Sequence, residues 1–273
     1  MRGMTNTRRT ARERNVAPRP LVEQTRAFEH NRATGMGGRM ITLYTFGPMF
    51  DLPDPSPFVT KGEMLLKLSG LEYKTDHRGF SRAPKGKLPF IEEGGTIIAD
   101  STLIRLYLEK KHHIDFDRGL SVRDRGVAWA VEKMLEEQLY WAMVRWRWLD
   151  DANFAKGPKT FFKRAPAFVR PIAERIVRGQ VRKTLHAHGI GRHSDEDMHA
   201  MAERGFTAVA QVLGDNRFFM GDEPCGADAT VFAFVACGLS PWFESPLQKK
   251  LQSMPTLVAY RDRLMKQFFP EFL

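Results

Sequence analysis

Apolar and polar positions alternate over Ile41-Thr42-Leu43-Tyr44-Thr45-Phe46, the period of a half-buried strand. After a Pro-rich turn, Pro53-Asp54-Pro55-Ser56-Pro57, the period lengthens. Phe58, Met64, Leu65 and Leu68 recur at helical spacing as far as Ser69. A second strand-like run covers Leu71 to Asp76, and Gly86-Lys87-Leu88-Pro89 leads into Phe90-Ile91-Glu92-Glu93. Gly94-Gly95 separates that run from Thr96-Ile97-Ile98, and two residues free to take positive φ suit a tight hairpin. Asp100-Ser101 then opens a helix carrying Leu103, Leu106 and Tyr107. Residues 40–113 thus read as a β-α-β unit followed by a β-β-α unit.

From Leu120 the helical period dominates, so residues 120–273 are expected to be all-helical. Val127, Val131, Met134, Leu135, Leu139 and Tyr140 predict one long amphipathic helix, continued by Trp141, Met143, Val144, Trp146 and Trp148. Arg145 and Arg147 interleave with the tryptophans, a pattern open to base stacking. An aromatic stripe at helical spacing is more often core or the wall of an apolar pocket. Residues 153–183 are broken by Pro158, Pro166 and Pro171, and read as a loop with short helices. His186, His188 and His193 fall in an expected loop with no Cys nearby, so no metal site is predicted. Ser194 followed by Asp195-Glu196-Asp197 reads as a capped helix start.

Charge changes the picture. The chain has 273 residues and a net charge of +10. Residues 1–39 hold nine Arg and three Glu, and residues 156–183 nine Lys/Arg and one Glu. The remainder is mildly acidic, which argues against a general nucleic-acid binder. Residues 1–39 lack apolar periodicity and are expected to be a disordered basic extension. A start at Met40, a transit peptide or a nucleic-acid tail are rival readings of that segment. No apolar run suffices to span a membrane. Two cysteines, Cys225 and Cys237, have neither metal-ligand nor CxxC spacing, which fits a cytoplasmic protein.

Three short landmarks recur in a telling order: Ser56-Pro57-Phe58 at a helix start, Lys87-Leu88-Pro89 before the hairpin, and Asp100-Ser101 at the next helix start. Together they resemble the thioredoxin-like N-terminal domain of the glutathione transferase superfamily. Phe218 to Thr230, with Gly221-Asp222-Glu223-Pro224-Cys225-Gly226-Ala227-Asp228, resembles the signature of that superfamily's helical domain. Gly189-Ile190-Gly191-Arg192-His193-Ser194, taken with Ser56-Pro57-Phe58 and Lys85 to Pro89, resembles its failed-axon-connections and metaxin-like branch. The resemblance covers about residues 40–273. It implies a thioredoxin-like α/β domain, a helical domain, a cleft between them, a homodimer, and glutathione as co-substrate.

A glutathione site must ionise a thiol. A thiol of pKa ~8.5 is mostly protonated at neutral pH. Lowering it by about two units needs roughly 2.7 kcal/mol in favour of the anion. A helix N-terminus contributes ~0.3–2 kcal/mol, and a hydroxyl donor about 1.5–3 kcal/mol. Ser56, before Pro57, is placed to supply both, and the alternative is that it merely caps the helix. Because a Ser forms no mixed disulfide, thiolate stabilisation is favoured over thiol–disulfide exchange. Tyr44 is the rival hydroxyl, although its place in a strand points to packing. The resemblance implies a cis bond at Pro89, Leu88 pairing its backbone with the cysteinyl part of glutathione, and Asp100 and Ser101 holding the γ-glutamyl ammonium and carboxylate. Capping is the alternative for that pair. Lys85 and Lys87 face the glycyl carboxylate or plain solvent. A small apolar electrophile is expected near Tyr140, Met143 and Val144. A non-catalytic scaffold for protein contacts is the second reading. Asp228 reads as structural, and Cys225 stands where the family places a Ser or Thr cap, so Cys225→Thr is expected to raise stability.

Overall fold

The structure, a computed structural model, describes residues 40–273. The basic extension of residues 1–39 lies outside the described residues. The alternating run forms β1 (Ile41–Tyr44), and the helical period that follows forms α1 (Pro57–Ser69). Next come β2 (Tyr73–Asp76), β3 (Phe90–Glu93), β4 (Thr96–Ala99) and α2 (Ser101–His112). The sheet order is β2-β1-β3-β4, with β1 parallel to β2 and the other pairs antiparallel. Tyr44 stands opposite Phe90, and Phe90 opposite Ala99. Gly94 and Gly95 both take positive φ, 60° and 85°, which makes the tight hairpin between β3 and β4. A turn in this mirror-image conformation excludes most side chains from both positions.

The long amphipathic pattern forms α3 (Val122–Met134) and α4 (Tyr140–Leu149), joined without a break by one π-helical turn, Leu135–Leu139. The wider turn lets Leu135, Glu136 and Leu139 all face inward. After α5 (Asp151–Lys156) and a 3₁₀ stretch, Pro158–Arg164, comes α6 (Arg170–His188). This helix corrects the expectation of a loop with short helices over residues 153–183. Pro171 sits in the first turn, where its missing N–H costs nothing, so it starts a helix rather than breaking one. His186 and His188 accordingly lie in the last turn of α6, not in a loop.

Ser194 caps α7 (Asp195–Leu213), its Oγ accepting from the Asp197 N–H at 3.0 Å. Helix α8 (Gly226–Leu239) is apolar all round and almost wholly buried, as a helix enclosed on every side must be. It packs against α1 and α3, and against α9 (Pro246–Gln252) and α10 (Pro255–Phe268). Asp228 fixes its start: Oδ2 accepts from the Cys225 N–H at 2.8 Å, and Oδ1 from the Phe219 N–H and the Tyr260 hydroxyl at 2.8 and 2.7 Å. Among the described residues no helix is long and apolar enough to cross a membrane.

Candidate functional site

The loop between β1 and α1 is built around a buried carboxylate. Asp54 accepts from the N–H groups of Phe46, Gly47 and Ser56, at 2.8, 3.1 and 2.9 Å. Its bond to the amide two residues on is an Asx turn, and the bonds to Phe46 and Gly47 tie that turn to the end of β1. Burial pushes the Asp54 carboxyl well up from its ordinary range, against the downward pull of those three amides. Asp54 lies outside the residues expected to form the site, although its place between Pro53 and Pro55 marks it as a turn former.

This loop delivers Ser56 to the N-cap of α1 in an extended conformation, with no side-chain cap bond. Ser56 therefore does not spend its hydroxyl on the helix. Pro57 has no N–H to satisfy, and the Val59 and Thr60 amides bond the Ser56 carbonyl. The hydroxyl stands beside the positive end of the helix, an arrangement suited to an anion. Tyr44, the rival hydroxyl, is buried, stacks on Phe90 at 4.0 Å and donates its proton to Glu92 at 2.9 Å. Burial also pushes its phenol up.

The other two landmarks lie on segments that pack with the helix Ser56 opens. The Leu88-Pro89 peptide is cis. Leu88 is buried in a small cluster with Tyr44, Val59, Phe90 and Ala99, so the helix of Ser56, the cis proline and the end of β4 share one packing unit. The Pro89 carbonyl accepts from the Asp100 N–H at 3.2 Å. Asp100 is the N-cap of α2, its Oδ1 accepting from Thr102 and Leu103 N–H at 2.9 and 3.3 Å. It holds a positive φ of 97°, a strained state for a non-glycine residue that survives only where its surroundings enforce it. Ser101 is the first residue of α2 and is buried. Lys85 and Lys87 lie exposed on the preceding loop.

One turn beyond Ser56 the same helix carries a buried ionic joint that no local sequence pattern announces. Lys61 is fully buried and reaches Glu132 at 3.1 Å and Glu136 at 2.5 Å. Glu132 also meets Arg105 of α2 at 2.5 Å and accepts from Thr230 of α8 at 2.9 Å. Arg105 goes on to Asp117, whose other oxygen accepts from the Gly226 N–H at 3.1 Å. A Cβ at Gly226 would sit 2.5 Å from the Arg105 guanidinium, so a larger residue there would displace that guanidinium from its present place. Burial drives the Glu132 carboxyl upward, but Lys61 and Arg105 outweigh it and hold it below the ordinary range. Thr102, next to Ser101, receives a hydrogen bond from Lys133 at 2.9 Å, which ties the start of α2 to the same joint.

The expected electrophile wall is redistributed. Tyr140 does reach the start of α1, edge-on to Phe58 at 4.8 Å. Met143 is buried in the core, and Val144 packs under α6 with Leu185, Ile190 and Met198, so neither lines an opening. Alternate turns of α4 face different clusters, which a single helical period does not distinguish. The aromatic surface beside the Asp54 loop comes from elsewhere. Phe46 faces Phe80 at 5.6 Å and Phe161 at 6.1 Å, both rings partly exposed. Arg147 is a clasp, not a stacking platform for bases: it donates to the Pro55 and Cys237 carbonyls at 2.8 and 2.9 Å.

Known proteins resemble this chain in sequence and fold. Residues 57–153 match a glutathione S-transferase N-terminal domain model, and residues 202–264 a glutathione S-transferase C-terminal domain model. Failed axon connections of Drosophila melanogaster is 34% identical over 85% of this chain, and the chain spans only 59% of that protein's length. The isoprene-epoxide glutathione S-transferase of a Rhodococcus species is 31% identical over 84% of this chain and 99% of its own. Metaxin-1 of Macaca fascicularis is 29% identical over 69% of this chain and 62% of its own. In fold, a beta-etherase from a Sphingobium species aligns with a TM-score of 0.61 at 17% identity, over 85% of this chain and 99% of that one. The thioredoxin-like sheet, the helical half behind it and these matches agree: the chain belongs to the glutathione S-transferase family.

Proposed function

We propose that the protein binds glutathione and ionises its thiol at Ser56 for attack on an apolar electrophile. The observation that carries this reading is the Ser56 hydroxyl, held at the start of α1 and left without a cap bond. Donation from that hydroxyl and the helix N-terminus together favour the thiolate by the ~2.7 kcal/mol that ionisation at neutral pH requires. Leu88, next to the cis proline, pairs with the cysteinyl backbone in the manner of an added strand. Asp100 caps α2 through Oδ1, leaving Oδ2 for the γ-glutamyl ammonium. Ser101 and the start of α2 take the carboxylate. The glycyl carboxylate lies toward Lys87, and Pro89 shapes the floor.

The electrophile packs against Phe46, Phe80 and Phe161. Sulfur attacks carbon, an S–C bond forms and the bond to the leaving atom breaks. With an epoxide, the substrate class in the name of the Rhodococcus relative, the opened oxygen then takes a proton from water. Exposed Ile97, Leu103, Leu106 and Trp129 on β4, α2 and α3 give a homodimer its surface.

Calorimetric titration with glutathione tests the reading, with thiol ionisation followed by ultraviolet difference. Wild type is expected to bind and ionise glutathione, and Ser56→Ala to bind without ionising it. Absence of heat at millimolar glutathione ends the reading. The scaffold alternative, favoured by the likeness to failed axon connections and metaxin-1, then stands.

A further inference from the structure

Helix α6 carries apolar residues on two opposite faces. On the inner face Val181 and Leu185 pack with Trp141, Val144 and Leu149. Ile172 and Ile176 lie nine residues earlier in each case, about two and a half turns, and so point the opposite way. They are 63% and 65% exposed, and Phe168, just before the helix, is 81% exposed. A helix already packed through one face gains nothing in folding from large apolar groups on the other. Arg175, Arg182 and Lys183 are exposed on and beside this outer face. The acids of the region are engaged by other cations: Glu174 by Lys159 at 3.7 Å and Asp151 by Arg178 at 2.6 Å.

Charge narrows what can cover the face. Residues 1–39 carry nine Arg against three Glu, so their charge does not complement the face. A second copy docking through the same face by a two-fold axis would bring like charges together. A nucleic acid would satisfy the cations but leave Ile172, Ile176 and Phe168 in water. A partner that is negative at its surface and apolar just beneath satisfies both. We propose that the outer face of α6 docks on an anionic lipid bilayer, the helix lying in the headgroup plane with Phe168, Ile172 and Ile176 reaching the acyl boundary and Arg175, Arg182 and Lys183 on the lipid phosphates.

The test is co-sedimentation of the full chain with phosphatidylcholine vesicles, with and without about one-third phosphatidylglycerol. Binding is expected to the anionic vesicles and to weaken as salt rises. The double variant Ile172→Asp/Ile176→Asp is expected to lose it with unchanged circular dichroism. The triple variant Arg175→Gln/Arg182→Gln/Lys183→Gln is expected to weaken it on the order of 100-fold, from the cost of three lost charges near the surface. If the aspartates disturb folding, the triple variant, which leaves the isoleucines in place, still decides. Three results overturn the proposal: no sedimentation at low salt, wild-type sedimentation by both variants, or tighter binding to an oligonucleotide that ignores the isoleucine changes.

Discussion

Two positions on α1 stand five residues apart and follow opposite rules. Ser56, at the start, makes no side-chain bond to the helix it opens. Lys61, one turn on, is fully buried and bonds Glu132, Glu136 and Thr102. A polar group left unpaired where solvent can reach it costs little and keeps its capacity for a ligand. A charge removed from water survives only with its partners in place. The comparison separates what the helix offers to chemistry from what anchors it to the helical half.

The anchor is where breakage shows most. Glu132→Ala leaves Lys61 and Arg105 facing each other's joint with one carboxylate fewer, and is expected to cost roughly 3–5 kcal/mol in a denaturant titration. A loss below about 1 kcal/mol, the size of an exposed pair, would mean the joint is not a closed unit. At the open end, Ser56→Ala is expected to leave that titration unchanged. It should slow conjugation by about 100-fold, the scale for removing one donor to a developing anion. An equal loss of stability at both positions would erase the distinction.

Acid sharpens the contrast. The Glu132 carboxyl is held below its ordinary range in the folded chain, against the upward push of burial. Its contribution is therefore present above the unfolded value of ~4.3 and is lost as pH falls through the lower folded value. The gap in stability between wild type and Glu132→Gln should narrow over that interval. Asp54 has the opposite sign: burial raises it, so its contribution is full at low pH and is lost as pH rises through the folded value. Asp54→Asn is expected to flatten the part of the profile above ~4, and an unchanged profile would remove Asp54 from the account. The smallest effect concerns the helical half. Cys225 stands at the cap of α8, where a hydroxyl would accept more strongly than the thiol. Cys225→Thr is expected to raise the melting temperature by about 2–4 °C, the yield of ~1 kcal/mol in a chain of this size.

Much of the sheet half was legible because its signals are local. The alternation in β1, the Gly94-Gly95 turn and the change of period at Pro57 each lie within a few residues of the feature they produce. Ser56, Leu88-Pro89 and Asp100-Ser101 stood out instead by their resemblance to the landmarks of a known family. Helix α6 was misread because Pro171 looks like a break unless its position within the first turn is known. Val144 was misassigned because one helical period does not say which neighbour each side of α4 will meet. Asp54 could have been suspected from its turn, but its three amide partners include two at the end of β1.

Sequence alone determined the order of elements in the sheet half and the starts of α1, α2 and α7, since backbone preference and side-chain periodicity act over one or two turns. Only the tertiary structure decided which polar groups would be used up in folding. Lys61, Glu132 and Thr230 are ordinary surface-type residues until α1, α3 and α8 pack and remove the water between them. Ser56 stayed free because the Asp54 loop brought it to the helix end with its own backbone already satisfied. Desolvation is the physical reason: it depends on what lies nearby in space, and no local pattern records that.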